Sequence, residues 1–153
     1  MSSTYSQIYI HVVFAVKHRE SLIAPKWECQ LHKYLTVSIQ NNGQKMIAIN
    51  GMPDHIHMLI GMKPNCNLSD LIREIKKSSS NWINTNKLVT SHFNWQEGFG
   101  AFSYSQSSLD NVVNYIHEQK KHHAKQNFRE EFETLLQKFK VNYKKEYLFN
   151  QVL

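Results

Sequence analysis

Residues 5–16 alternate without interruption. Ile8, Ile10, Val12, Phe14 and Val16 fall on one side, and Gln7, Tyr9, His11, Val13 and Ala15 on the other. Side chains of period two point to opposite faces of an extended chain, and the β-branched and aromatic content fits a strand. The next segments restrict the architecture further. Pro25 suits the first turn of a helix, along which Trp27, Leu31, Tyr34, Leu35 and Ile39 recur at spacings of three and four. Asn41-Asn42-Gly43 closes that helix, with Gly43 fit for a left-handed cap. Residues 45–50 and 56–62 read as two strands joined through the turn-rich Gly51-Met52-Pro53-Asp54, a hairpin. Asn67-Leu68-Ser69-Asp70 starts a second helix with an apolar stripe of Leu68, Leu71, Ile72, Ile75 and Trp82. Its opposite face carries Arg73, Lys76, Lys77 and three serines. Short strands are expected over 93–95 and 99–105, a third helix over 109–123 and a last one over 128–139.

Up to that last helix the order is strand, helix, strand, strand, helix, strand, helix. Strands and helices do not strictly alternate, which favours an α+β fold with an antiparallel or mixed sheet backed by helices over a doubly wound sheet. A chain of 153 residues fits a single domain over 1–153, with its C-terminal helix at about 127–140 followed by a short tail. With 41% hydrophobic and 20% charged residues, wholesale disorder is excluded. The apolar runs are a few residues long, too short to cross a membrane. Met1-Ser2-Ser3-Thr4 lacks a basic stretch followed by an apolar one, so a cytoplasmic location is the default expectation. Cys29 and Cys66 lie far apart with no third cysteine, and read as ordinary thiols.

The formal net charge of +6 points to an anionic partner, and nucleic acid is the commonest one. The charge is spread over the chain, which fits a solvated basic surface equally well. Arg73, Lys76 and Lys77 on one helix face, and Lys120, Lys121, His122 and His123 beside the Tyr115 helix, are the candidates for neutralising phosphates. Trp82, Trp95, Phe99, Phe102 and Tyr104 are candidates for stacking on unpaired bases, with the core as the preferred reading.

The sharpest local feature is His55-Ile56-His57. On a strand, residues two apart share a face, so both imidazoles converge on one side while Ile56 joins Met58 and Ile60 in the core. Two imidazoles so placed suit a metal ion, although nine histidines also yield such a pair by chance. Tyr115 and Gln119 lie four apart on the third helix and share one face. Tyr115 fits the core stripe beside Val112, but Gln119 fits a core poorly and its amide oxygen is a plausible third donor to a hard cation. His11 lies on the strand face opposite Ile10 and Val12, near the site or merely half-buried, and the second reading is preferred.

These features together, with Trp95-Gln96-Glu97-Gly98-Phe99-Gly100-Ala101-Phe102-Ser103 and the opening strand, make the chain similar to the single-tyrosine HUH transposases of the IS-two-hundred type. The resemblance runs nearly end to end. It implies a ferredoxin-like antiparallel sheet packed with helices. It implies a DNA transposase that cleaves single-stranded DNA at hairpin-marked element ends and joins strands through a 5′-phosphotyrosine intermediate. By position, Tyr115 is then the nucleophile, His55, His57 and Gln119 the ligands of Mg²⁺ or Mn²⁺, and a homodimer with active sites shared between subunits the expected assembly. Since none of these three ligands carries a negative charge, weak metal affinity in the absence of DNA is expected. The rival readings are a non-catalytic nucleic-acid-binding domain, a zinc enzyme acting on a small molecule, and a domesticated relative that nicks and rejoins host repeat hairpins.

Overall fold

The structure, a computed structural model, describes residues 3–144. Four strands, β1 (Tyr9–Ala15), β2 (Lys45–Met52), β3 (His55–Gly61) and β4 (Gly100–Tyr104), form one sheet in the order β2-β3-β1-β4, every pair antiparallel. Helices α1 (Pro25–Asn41) and α2 (Leu68–Thr85) complete a strand–helix–strand–strand–helix–strand unit, the ferredoxin-like arrangement. Three more helices follow: α3 (Leu109–His117), α4 (Gln119–His122) and α5 (Phe128–Lys138). The last of these lies within the expected C-terminal helix. The tail expected beyond it falls largely outside the described residues.

The alternation in β1 and β3 sorts the molecule into two layers. Val12, Phe14 and Val16 with Ile56, Met58 and Ile60 meet Trp27, Leu31, Leu35 and Ile39 of α1 and Leu71, Ile72, Ile75 and Ile83 of α2 in one hydrocarbon core. The other face carries His11, Val13 and Ala15 with His55, His57 and Leu59, roofed by α3, α4 and α5. β1 is narrower than the alternation of residues 5–16, because its partners in β3 and β4 begin at Tyr9, leaving Tyr5 exposed.

Two further expectations differ. The stretch 93–95 makes no strand: Asn84 at the end of α2 takes both backbone groups of Phe93, accepting at 2.7 Å and donating at 3.0 Å, and only Trp95 bridges to Val16. The helix expected over 109–123 breaks at Glu118. In an unbroken helix the His117 carbonyl would accept from Lys121. Here Asn50 of β2 donates to it at 3.0 Å, and the Lys121 amide turns to Glu118.

Candidate active site

The hairpin β2–β3 sets the site. Register pairs Met52 with His55 and Asn50 with His57, and on the other side β1 places Val13 opposite His57 and Ala15 opposite His55. Both imidazoles therefore rise from the middle of the sheet into the helical roof, each fully buried. The roof returns four polar groups: Tyr115 from α3, Gln119 at the start of α4, His123 just after it, and Glu131 from α5.

Glu131 sits at the centre and is 2% exposed. Its Oε1 lies 3.0 Å from His57 Nε2, 2.9 Å from His123 Nε2 and 3.4 Å from His55 Nε2. Its Oε2 accepts hydrogen bonds from the Tyr115 hydroxyl and, at 3.1 Å, from the Gln119 amide nitrogen. The Gln119 oxygen faces His55 Nε2 at 3.4 Å. Donor atoms of His55, His57, His123 and Glu131 all lie within 4.8 Å of one another.

A second ring of contacts orients this set. His55 Nδ1 lies 2.7 Å from Asp54 Oδ1, which leaves its Nε2 aimed inward. His57 Nδ1 lies 2.8 Å from His11 Nε2, and His11 is fully buried, its Nδ1 without a hydrogen-bond partner among the described residues. The Tyr115 ring stacks on His122 with centroids 4.7 Å apart.

Burial pushes the His57 imidazole down to about 4, against the pull of Glu131. Burial and then the neighbouring His57 hold His11 well below its ordinary value. At His55 burial also acts downward, but the hydrogen bonds with Asp54 and Glu131 together outweigh it and raise the group. At Glu131 burial acts upward, yet hydrogen bonds from His123, His55 and His57 keep the carboxylate ionised far below the usual range. Burial and then the Glu131 charge raise the Tyr115 phenol well above its ordinary value. The arrangement thus offers inward-facing imidazole nitrogens, a carboxylate and a neutral phenol in contact with that carboxylate. The lowered His57 imidazole and the ionised carboxylate are already in metal-binding form, His55 would bind on releasing its proton, and the outer nitrogens of both imidazoles are anchored, so the donor set fits a divalent cation.

All four residues inferred for chemistry from the sequence, His55, His57, Tyr115 and Gln119, meet here within one chain. His11, expected half-buried, is instead fully buried against His57. Glu131 and the inward role of His123 were not anticipated. The signal for Glu131 was present: it stands three after Phe128 and four before Leu135, a carboxylate on the apolar stripe of its helix.

The basic residues scatter. Arg73 and Lys77 are exposed on α2, across the sheet from this site, with Arg73 paired to Asp70 at 2.9 Å. Lys76 donates to the carbonyls of Gln96 and Gly98 at 2.7 and 2.5 Å. Lys120 donates to Glu28 at 2.7 Å and to the Gly51 carbonyl at 3.1 Å. Lys121 is exposed and lines an open cleft of about 520 Å³ with His122, Lys125, Gln126 and Glu130. Of the aromatic candidates, Trp95 and Phe102 are core, while Trp82 stacks on Tyr34 with centroids 5.0 Å apart. A cavity of about 260 Å³ opens beside the phenol, lined by Tyr104, Ser108, Asn111, Val112, Tyr115, Leu135 and Lys138.

The family model described as "Transposase IS200 like" matches residues 4–119, three quarters of the chain, from before β1 through Gln119. The chain belongs to the IS200-like transposase family. Among curated relatives, the ISDra2 transposase TnpA of Deinococcus radiodurans is 27% identical over 74 residues, 48% of this chain and 53% of that protein. The chain thus aligns with about half the length of that relative. Two solved structures share the fold. One is a protein assigned as a transposase from Deinococcus radiodurans, with TM-score 0.64 and 19% identity, covering 78% of this chain and 95% of the other. The second is a REP-associated tyrosine transposase bound to a REP hairpin, with TM-score 0.60 and 17% identity over 80% and 74% of the two chains. His123 and Glu131 lie beyond the stretch that the family model matches.

Proposed function

We propose that this chain is a metal-dependent DNA strand transferase that cleaves single-stranded DNA at hairpin-marked ends, with Tyr115 as nucleophile and a 5′-phosphotyrosine intermediate. One observation carries the reading: the Tyr115 hydroxyl donates to Glu131, the same carboxylate that faces the imidazoles of His55, His57 and His123. Burial and the Glu131 charge make this phenol a weaker acid than usual, so its proton leaves only as the bond to phosphorus forms, and the acceptor for it is already in contact. The cavity borders the Tyr115 ring, and the imidazoles and Glu131 lie behind that ring, outside its lining.

In this reading the Tyr115 oxygen forms its bond to phosphorus as the bond from phosphorus to the 3′ oxygen breaks. Glu131 takes the phenolic proton and can return it to the departing 3′ oxygen, so the step is balanced. A divalent cation, Mg²⁺ or Mn²⁺, held by His55, His57 and Gln119 together with their new neighbours, would polarise the scissile phosphate and offset its developing charge. The phosphotyrosine bond replaces a phosphodiester of similar energy, which leaves resealing near balance and in need of no nucleotide cofactor. Lys121, exposed on the same side as the site, contributes to phosphate neutralisation, whereas Arg73 and Lys77 lie across the sheet and Lys76 and Lys120 are already engaged within the chain. The likeness to a transposase bound to a REP hairpin supports structured single-stranded DNA as the partner.

The test is a denaturing gel of the protein with a panel of labelled single-stranded hairpins and Mn²⁺ or Mg²⁺. A covalent protein–DNA band is expected for the wild type and is expected to vanish in Tyr115→Phe and His57→Ala. Folded wild-type protein that yields no band across a broad panel would sink the reading. So would a band that survives in Tyr115→Phe.

A further inference from the structure

We infer that this chain holds its cation through three imidazoles and one carboxylate, His55, His57, His123 and Glu131, and that the centre therefore selects a first-row transition ion over Mg²⁺ and binds it without DNA. The inference rests on the metal-dependent reading above and specifies the class of cation for the same site.

The three Nε2 atoms stand 2.9, 3.0 and 3.4 Å from Glu131 Oε1. In a four-coordinate centre with bonds of about 2.0–2.1 Å, adjacent donor atoms are about 3.3 Å apart. The three distances to the carboxylate thus match such a centre, and all four donor atoms lie within 4.8 Å of one another, so small rotations of the rings close the set around an ion. Their orientation is fixed from outside as well: Asp54 holds His55 Nδ1, and His11 holds His57 Nδ1, the outer-sphere contacts that tune ligating histidines. Gln119 turns its amide nitrogen to Glu131 Oε2, so it also positions the carboxylate.

The chemistry of the donors decides the ion. Mg²⁺ prefers six oxygen ligands and keeps several waters, while imidazole suits Zn²⁺ and its first-row neighbours, with Mn²⁺ the weakest of that series at a given site. Glu131 also supplies the negative charge that His55, His57 and Gln119 lack, which removes the need for a DNA phosphate to hold the ion. His123 and Glu131 come from the segment after Gln119, so half of this donor set lies outside the family match.

The experiment uses the full chain, stripped with a chelator and titrated calorimetrically without DNA. Mn²⁺, Co²⁺ and Zn²⁺ are each expected to bind at least about 100-fold more tightly than Mg²⁺. Glu131→Gln and His123→Ala are each expected to weaken Mn²⁺ binding by about 10–100-fold or more. Pulsed EPR of the Mn²⁺-loaded wild type is expected to register three imidazole nitrogens, and it needs no variant to fold. Two nitrogens, variants that bind as the wild type does, Mg²⁺ as tight as Mn²⁺, or no binding of any ion without DNA would each overturn the inference. The covalent-adduct gel separates the two claims: an adduct formed by a protein with only two imidazole ligands sinks this inference alone. A tight three-imidazole centre in a protein that never forms the adduct sinks the strand-transfer reading alone.

Discussion

A carboxylate buried alone costs several kcal/mol, and Glu131 is nearly out of reach of water. What stabilises it is the set of five partners around its two oxygens: imidazoles of His55, His57 and His123 on one, the phenol and the Gln119 amide on the other. The same logic applies one contact further out, where His11 has a single described hydrogen bond, to His57. A polar side chain buried with half its capacity unused is retained for what it orients. Replacing it by an apolar ring of similar bulk, His11→Phe, is expected to lower Mn²⁺ affinity about 10–100-fold while leaving the fold intact. Calorimetric titration alongside a thermal melt reads both quantities. Unchanged affinity would show that His11 only fills space. At this scale the sequence made His55-Ile56-His57 legible through the period of a strand, and Tyr115 with Gln119 through the period of a helix. It could not show His11 as a partner of His57, because their opposition depends on the pairing of β1 with β3 across 46 residues.

Among the elements, the β2–β3 hairpin bears most on the geometry, and Gly51 is its tightest point. A Cβ at Gly51 would collide with the backbone carbonyl of His55 and come within 3.2 Å of Ile56 Cα. Neither atom can rotate away, so Gly51→Ala forces the strands apart where His55 is anchored. A cost of about 1–3 kcal/mol is expected, read as a lower urea midpoint, with weaker metal binding from a displaced His55. A wild-type midpoint would mean that the hairpin has room to give. The hairpin was readable from its turn residues, as were α1, α2 and α5 from their apolar stripes and from Pro25 and Asn67 at their starts. The break at Glu118 was not, since no glycine or proline marks it. It arises from a side chain of β2 competing for a helix carbonyl, a contact between elements. The stretch 93–95 fails as a strand for a similar reason, with Asn84 acting as its partner.

The molecule as a whole is a sheet with two unlike faces. One meets α1 and α2 in hydrocarbon, and the other meets α3, α4 and α5 in a polar centre. Because the helices that bring Tyr115, Gln119, His123 and Glu131 come from the same chain as His55 and His57, one copy assembles the complete set. With the tyrosine beside its own imidazole pair, action within one copy is the expected outcome, against the sharing between subunits that the family resemblance implies. Tyr115→Phe mixed with His57→Ala is therefore expected to give no adduct beyond the two variants measured separately. Recovery of an adduct at levels that rise with total protein concentration would instead establish exchange of the tyrosine helix between copies.

By itself the sequence determined most of the elements and their order, because period and capping residues act within a few positions of one another. It put His55 with His57 on one face of a strand and set Tyr115 four residues before Gln119, while only the resemblance to the family joined the two pairs into one proposed site. Only the tertiary structure decided that a carboxylate from α5 and imidazoles from β1 and after α4 join them. Those side chains meet through packing of segments far apart in the chain, and electrostatic compensation of a buried charge depends on distance in space, which no local pattern of residues records.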